Sequence, residues 1–324
     1  NLATGLTAIS QGVFVRTFSG GIATTANAGT QFPTRNLLIG PTLVGESISA
    51  YSGFKTLSGD FDRDGKVDLG ALGAVTTNTL VIFQNTAIQG TALTSASFTT
   101  AVTLTLDANT YAAYPYATDI NNDGLLDILV SRTNGFTVFI NTSAGPGNFS
   151  FTKTTFTLTA TYYSGKAILV DLDNDRLLDI ASITPNGTGI SYFKNTSSGG
   201  TVNFNTTPIN RTAPVKIGDI IAADLDNDGD EDIIVSSTDG TTNESIYYNP
   251  NTNTVSGTIS MSSAAFSALY TQLPKGSYSN HPIALGAADL DKDGDMDIVS
   301  VSKGGSGSAG GWLYIHRNDG SLSF

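Results

Sequence analysis

The sequence predicts an all-β fold, a β-propeller of four-stranded antiparallel blades. Three observations predict it. A nine-residue acidic pattern occurs five times, an apolar and aromatic-rich run follows each copy, and no stretch carries a convincing helical period. The copies are DFDRDGKVD from Asp60, DINNDGLLD from Asp119, DLDNDRLLD from Asp171, DLDNDGDED from Asp224 and DLDKDGDMD from Asp289. Their starts are spaced by 59, 52, 53 and 65 residues, the length of one propeller blade.

Each period reads as the same order of elements. A first strand runs into the acidic loop, and a second, such as DILV or DIIV, leaves it directly. A third is the aromatic-rich run, TLVIFQNT, FTVFINTS, ISYFKNTS, SIYYNPNT or WLYIHRND, which closes near an Asn. A weaker fourth follows a Gly-containing turn, as in GNFSF. The acidic loop therefore lies between the first and second strands of five blades.

At the N-terminus GLTAISQGVFVRTFSGG (Gly5–Gly21) repeats the second and third strands without an acidic loop. Residues 1–53 read as an incomplete or degenerate blade without an acidic loop and 54–324 as five acidic-loop blades, all in one domain. The blade count is about six, with seven as the alternative. The chain opens on Asn1, which reads as a mature or trimmed product.

Composition narrows the class. A 40% hydrophobic content supports a sizeable core, and no apolar run reaches the length of a transmembrane span. There are no cysteines, which excludes disulfides, thiolate metal sites and cysteine nucleophiles. Abundant Ser, Thr, Gly, Asn and Ala with scarce Lys point to an extracellular or cell-surface β protein. A net charge of −12 disfavours nucleic acid as a partner.

The acidic loops carry the chemistry. Oxygen-bearing side chains stand at positions 1, 3, 5 and 9, and Gly stands at position 6 in four of five copies. A hard cation such as Ca²⁺ takes six to eight oxygens in irregular geometry, whereas Mg²⁺ keeps its waters and demands an octahedron. Glycine at position 6 supplies the positive φ that turns the chain back toward an ion. Position 12 is apolar or small, as at Val235 and Ser300, and a strand follows, so this is not an EF-hand. Nineteen of the 28 acidic side chains sit at these positions, and five dications would bring the net charge from −12 to about −2. Four uncompensated carboxylates in one loop would repel one another.

The pattern D-x-[DN]-x-D-G-x-x-D before an apolar strand resembles the FG-GAP/VCBS repeat family, which includes the propeller of integrin α-subunits. The resemblance spans about residues 50–324 and, more weakly, 5–50. It implies a calcium-bearing propeller, usually extracellular, engaged in adhesion, ligand binding or assembly. The implied metal ligands are Asp60, Asp62, Asp64 and Asp68; Asp119, Asn121, Asp123 and Asp127; Asp171, Asp173, Asp175 and Asp179; Asp224, Asp226, Asp228 and Asp232; and Asp289, Asp291, Asp293 and Asp297. Two departures stand inside the loops: Asn121 is a neutral ligand, and Arg176 occupies the glycine position of the third loop. That loop is expected to keep its ion, held more weakly than in the loop of Asp224.

No P-loop, nucleophile elbow or zinc-protease motif occurs. The two histidines, His281 and His316, lie beside predicted strands and read as structural or exposed. KGGSGSAGGW (Lys303–Trp312) reads as a hairpin turn, with Trp312 in a strand core. Seven N-x-S/T sequons, at Asn141, Asn148, Asn186, Asn195, Asn205, Asn210 and Asn243, are close to the number such a composition gives by chance. The leading expectation is a non-enzymatic module that holds a protein or glycan ligand. The alternative is a subunit of an extracellular filament or surface layer, joined head to tail with its own copies by terminal strand exchange. A carbohydrate-active enzyme comes third.

Overall fold

The computed structural model describes residues 55–72, 79–91, 93–107, 114–132, 135–158, 166–184, 186–237, 246–262, 266–270, 282–302, 312–320 and 322. The N-terminal incomplete blade, His281 and the Lys303–Gly311 turn lie outside the described residues, as does the side chain of Trp312.

Among the described residues the strands form five antiparallel sheets of up-and-down order, with no α-helix. The first holds β1 (Lys55–Gly59), β2 (Asp68–Leu72), β3 (Thr79–Asn85) and β4 (Phe98–Thr105). The second holds β5 (Pro115–Thr118), β6 (Asp127–Arg132), β7 (Gly135–Asn141) and β8 (Phe151–Thr157). The third holds β9 (Ala167–Val170), β10 (Asp179–Ile183), β11 (Gly189–Phe193) and β12 (Ile209–Thr212). The fourth holds β13 (Ile217–Ala223), β14 (Asp232–Ser237), β15 (Ile246–Asn249) and β16 (Ser267–Tyr270). The fifth pairs β17 (Pro282–Ala288), β18 (Asp297–Ser302) and β19 (Trp312–His316). These are β-propeller blades, and each acidic loop joins the first strand to the second, as the repeats predict.

The burial of each strand follows its composition. The second strands β6, β10 and β14 are buried at every residue, so both their faces are covered, with apolar residues at their centres and a buried Asp opening each one. The fourth strands β4, β8 and β12 are mostly half-buried or exposed and rich in Thr, which suits a pleated, half-solvated surface.

Two compact units can be distinguished. The first takes the described residues up to Thr105 together with Ser143–Ser150, and its core is drawn from Leu57, Leu72, Leu80, Val81 and Ile82. The second takes Leu106–Thr142 and the chain from Phe151 onward. In the second unit consecutive sheets pack face to face. Phe136 of β7 meets Phe193 of β11 edge-on at 5.0 Å between ring centroids, within a cluster that also holds Leu129 and Ile180. Ile168, Ala181 and Tyr192 pack with Ile220, Ile233 and Val235 of the next sheet. Ile221, Ile234 and Ile246 pack with Ile298 of the fifth.

Candidate metal centres

The five acidic loops fold by one local scheme. The carboxylate at position 1 accepts the backbone N–H of position 6, from Gly65, Gly124, Arg176, Gly229 and Gly294 at 2.7–3.2 Å. The carboxylate at position 5 accepts the N–H of position 7 at 2.8–3.0 Å, an Asx turn. Position 9 has a different role. Its Oδ2 accepts the N–H of position 2, as from Leu172 to Asp179 at 3.1 Å and from Leu225 to Asp232 at 3.2 Å. Its Oδ1 accepts the backbone N–H of the Asn that closes the third strand: Asn85, Asn141, Asn195, Asn251 and Asn318, at 2.7–2.9 Å. The position-9 carboxylate thus ties its loop to the far strand of the hairpin. Each of its oxygens keeps a lone pair for a further partner.

Backbone conformation explains the residue choice. Position 6 has positive φ in every loop, from 71° at Arg176 to 98° at Gly294, as the glycine pattern predicts. Arg176 therefore takes the left-handed conformation without losing its N–H bond to Asp171. The sequence reading missed a second such position. Position 4, held by Arg63, Asn122, Asn174, Asn227 and Lys292, has φ between 57° and 67°. Three of the five are Asn, the non-glycine type most tolerant there, and that bias was the available signal.

These asparagines also join successive loops in the second unit. Asn122 Nδ2 donates to Arg176 O at 2.9 Å, Asn174 Nδ2 to Asp230 Oδ1 and Asn227 Nδ2 to Asp295 Oδ1, both at 2.5 Å. The strand-closing asparagines were visible in the sequence as a terminus only, and their clamp on position 9 needs the hairpin. Asn141 and Asn195 are fully buried in that role, which removes two of the sequons as glycan acceptors in the folded chain.

The carboxylates converge as a hard cation requires. One oxygen from each of Asp60, Asp62 and Asp68 lies within 4.8 Å of the others. The same holds for Asp171, Asp173 and Asp179, for Asp224, Asp226 and Asp228, and for Asp289, Asp291 and Asp297. In the second loop Asn121 Oδ1 and Asp119 Oδ1 both face the N–H of Asp123 at 3.1 Å. Asp173 is fully buried, and its Oδ1 has no hydrogen-bond partner, an orphan that a bound cation would satisfy. The donor set of carboxylates and one amide oxygen fits Ca²⁺.

Burial pushes the position-9 carboxyls up, to about 6 for Asp68 and Asp127 and to about 7 for Asp179 and Asp232. Nearby loop carboxylates push in the same direction, while the two backbone N–H bonds pull back. A cation beside them would favour the ionised form. His316 is buried against Ser300 Oγ at 3.0 Å, and burial lowers its pKa.

The repeat spacing and this shared loop scheme agree with a comparison to known families. Residues 60–130, 119–182, 171–235 and 224–300 each match the model of the FG-GAP-like repeat. The chain belongs to the FG-GAP-like repeat family. No curated protein matches it. Solved structures with a similar fold include an Agrocybe aegerita lectin that recognises non-reducing terminal N-acetylglucosamine, at 19% identity and a TM-score of 0.49 over 84% of this chain and 64% of that one. The V. cholerae biofilm matrix protein Bap1 matches at 18% identity and a TM-score of 0.42, over 84% of this chain and 38% of its own. BBS1N, solved in complex with ARL6DN, matches at 14% identity and a TM-score of 0.43, over 84% and 82%. The chain thus spans under two thirds of the length of the first two.

Proposed function

We propose that this FG-GAP-like repeat protein is a non-enzymatic calcium-binding propeller that acts outside the cell, in adhesion or in binding a protein or glycan ligand. The carrying observation is the convergence of carboxylate oxygens in the acidic loops, repeated on one backbone scheme. The ions would be held by positions 1, 3, 5 and 9 of their loops, as by Asp224, Asp226, Asp228 and Asp232 in the fourth. Calcium supplies the charge that such a set lacks. It fixes each loop against the strand that follows, so the ions stiffen the framework while the ligand is met elsewhere. Extracellular calcium modules work at roughly 10⁻⁴ to 10⁻³ M, concentrations found outside cells, which supports an extracellular setting. The domain proposal is one propeller over residues 1–324, with residues 1–53 supplying an incomplete blade.

Thermal melting with chelator and with millimolar calcium tests the metal reading. A ligand bound by the folded state alone must raise the melting temperature, and equal melting in both conditions would sink it. Binding to glycan arrays and to candidate surface proteins, with and without calcium, tests the recognition role.

The assembly reading draws support from β19. Leu313 and Ile315 are 65% and 61% exposed on the last strand described. A strand from a second copy would cover them. Electron microscopy of the native material separates the two readings: filaments favour assembly, isolated particles favour the free module.

A further inference from the structure

The residue immediately before each strand-closing Asn differs in every repeat, being Gln84, Ile140, Lys194, Pro250 and Arg317, and three of the five, Gln84, Lys194 and Arg317, reach carboxylates of their acidic loop. In the first loop Gln84 Nε2 donates to Asp62 Oδ2, the position-3 carboxylate, at 3.1 Å. In the third loop Lys194 reaches the same place with a charge. Its Nζ donates to Asp173 Oδ2 and, at 2.7 Å, to Asp175 Oδ2. Asp173 is fully buried and Lys194 half-buried, so the ammonium bonds directly to the ligand set. Ile140 and Pro250 bring no charge to the second and fourth loops, and in the fifth Arg317 pairs with Asp291 at 2.9 Å from an exposed position that it shares with Asp319 at 2.6 Å.

We infer that Lys194 is a built-in cation that occupies the third loop in place of calcium. The inference rests on the calcium reading of the other loops. Charge count alone does not set this loop apart, since the first loop also holds four carboxylates and two cations, Arg63 and Lys66; the difference is that Lys194 bonds positions 3 and 5 together. An ammonium bonded to positions 3 and 5 takes oxygens that an ion needs and repels a dication at close range. The loop scheme itself survives in this repeat: Asp171 accepts Arg176 N–H, and Asp179 accepts Leu172 and Asn195. The site is therefore formed and filled rather than degenerate.

The experiment counts bound calcium on the full chain by native mass spectrometry and calorimetry. It compares wild type with Lys194→Met, Lys194→Gln (the side chain of Gln84) and Asp226→Ala, which removes a position-3 ligand. Both Lys194 variants are expected to bind one calcium more than wild type, with an affinity for the added ion at least about tenfold above any third-loop binding in wild type. In chelator they should melt below wild type, and calcium should recover more melting temperature in them than in wild type. A lysine with a merely structural role would lower melting in chelator with no added ion and no calcium recovery. An unchanged calcium count in both Lys194 variants, while Asp226→Ala loses one ion, would overturn this inference alone. No calcium bound by any form would overturn it together with the calcium reading.

Discussion

The side-chain amide of Asn251 donates to Leu172 O at 3.0 Å, across 79 residues of sequence. Its backbone N–H meanwhile caps Asp232 Oδ1 at 2.8 Å. One asparagine thus closes the hairpin of its own repeat and fastens the loop of the repeat before it. Asn318 does the same one repeat later, donating to Leu225 O at 3.0 Å and capping Asp297 Oδ1 at 2.9 Å. Asn251→Ala keeps the backbone bond but leaves the buried Leu172 carbonyl unpaired, which costs about 1–3 kcal/mol. Chemical denaturation should show a lower midpoint at unchanged slope. Asn251→Asp should be worse, since it adds a buried charge beside Asp232.

In chelator the protein should lose stability as pH rises. The folded pKa values of Asp68, Asp127, Asp179 and Asp232 lie at about 6 to 7, above the ordinary carboxyl value of 3.8. The folded state then holds more protons than the unfolded state between about pH 4 and 7. Their contribution is present in full below the unfolded value and is lost as pH climbs through the folded one. Asp107 opposes this: hydrogen bonds and pairing with Lys153 outweigh its burial and lower its pKa, but it is one group against four. Each raised carboxyl contributes about 1 kcal/mol after solvent screening. Melting in chelator should therefore be higher at pH 5 than at pH 7.5. Calcium should shrink or invert that difference, because it favours the ionised form. A chelated protein that melts higher at pH 7.5 would contradict the burial argument.

The sequence carried the blade order, the loop position and the sign of φ at position 6, because each is dictated within a few residues. Asp and Gly at fixed offsets write a turn directly. It did not carry the partner of Asp232, because Asn251 reaches it only once β14 and β15 pair. Nor did it reveal Lys194, whose meaning depends on a register that places one side chain in a loop 21 residues away. Position 4 lay in between: the Asn bias was legible, but Arg63 and Lys292 masked it.

Glycines at the start of the third strand are steric requirements. A Cβ on Gly135 would stand 1.9 Å from Phe156 O, and the residue has φ of 139°. Gly189, at the same place in the next repeat, would put one 2.3 Å from Arg211 O. The obstacles are backbone atoms of the paired strand, which cannot turn aside. Gly135→Ala and Gly189→Ala should each cost about 2 kcal/mol or more by equilibrium unfolding. Gly124→Ala offers a control: nothing lies within 4 Å of its Cβ, so only the positive φ is penalised and the loss should be about 1 kcal/mol.

Arg176→Gly should move stability the other way. Arg176 holds φ of 71°, which a non-glycine residue adopts at a cost of about 1–2 kcal/mol. Both of its backbone bonds, N–H to Asp171 Oδ2 and C=O from Asn122 Nδ2, survive the change. Glycine gives back part of the gain through the freer unfolded chain, leaving a net stabilisation of about 0.5–1 kcal/mol. Removing the guanidinium also makes the third loop more acidic. If Lys194 alone decides occupancy, Arg176→Gly in the wild-type background should raise the melting temperature in chelator without adding a bound calcium. Paired with Lys194→Met, it should tighten the ion that the methionine variant admits. Equilibrium unfolding and calcium counts on the two single variants and the double variant separate backbone strain from charge at this loop.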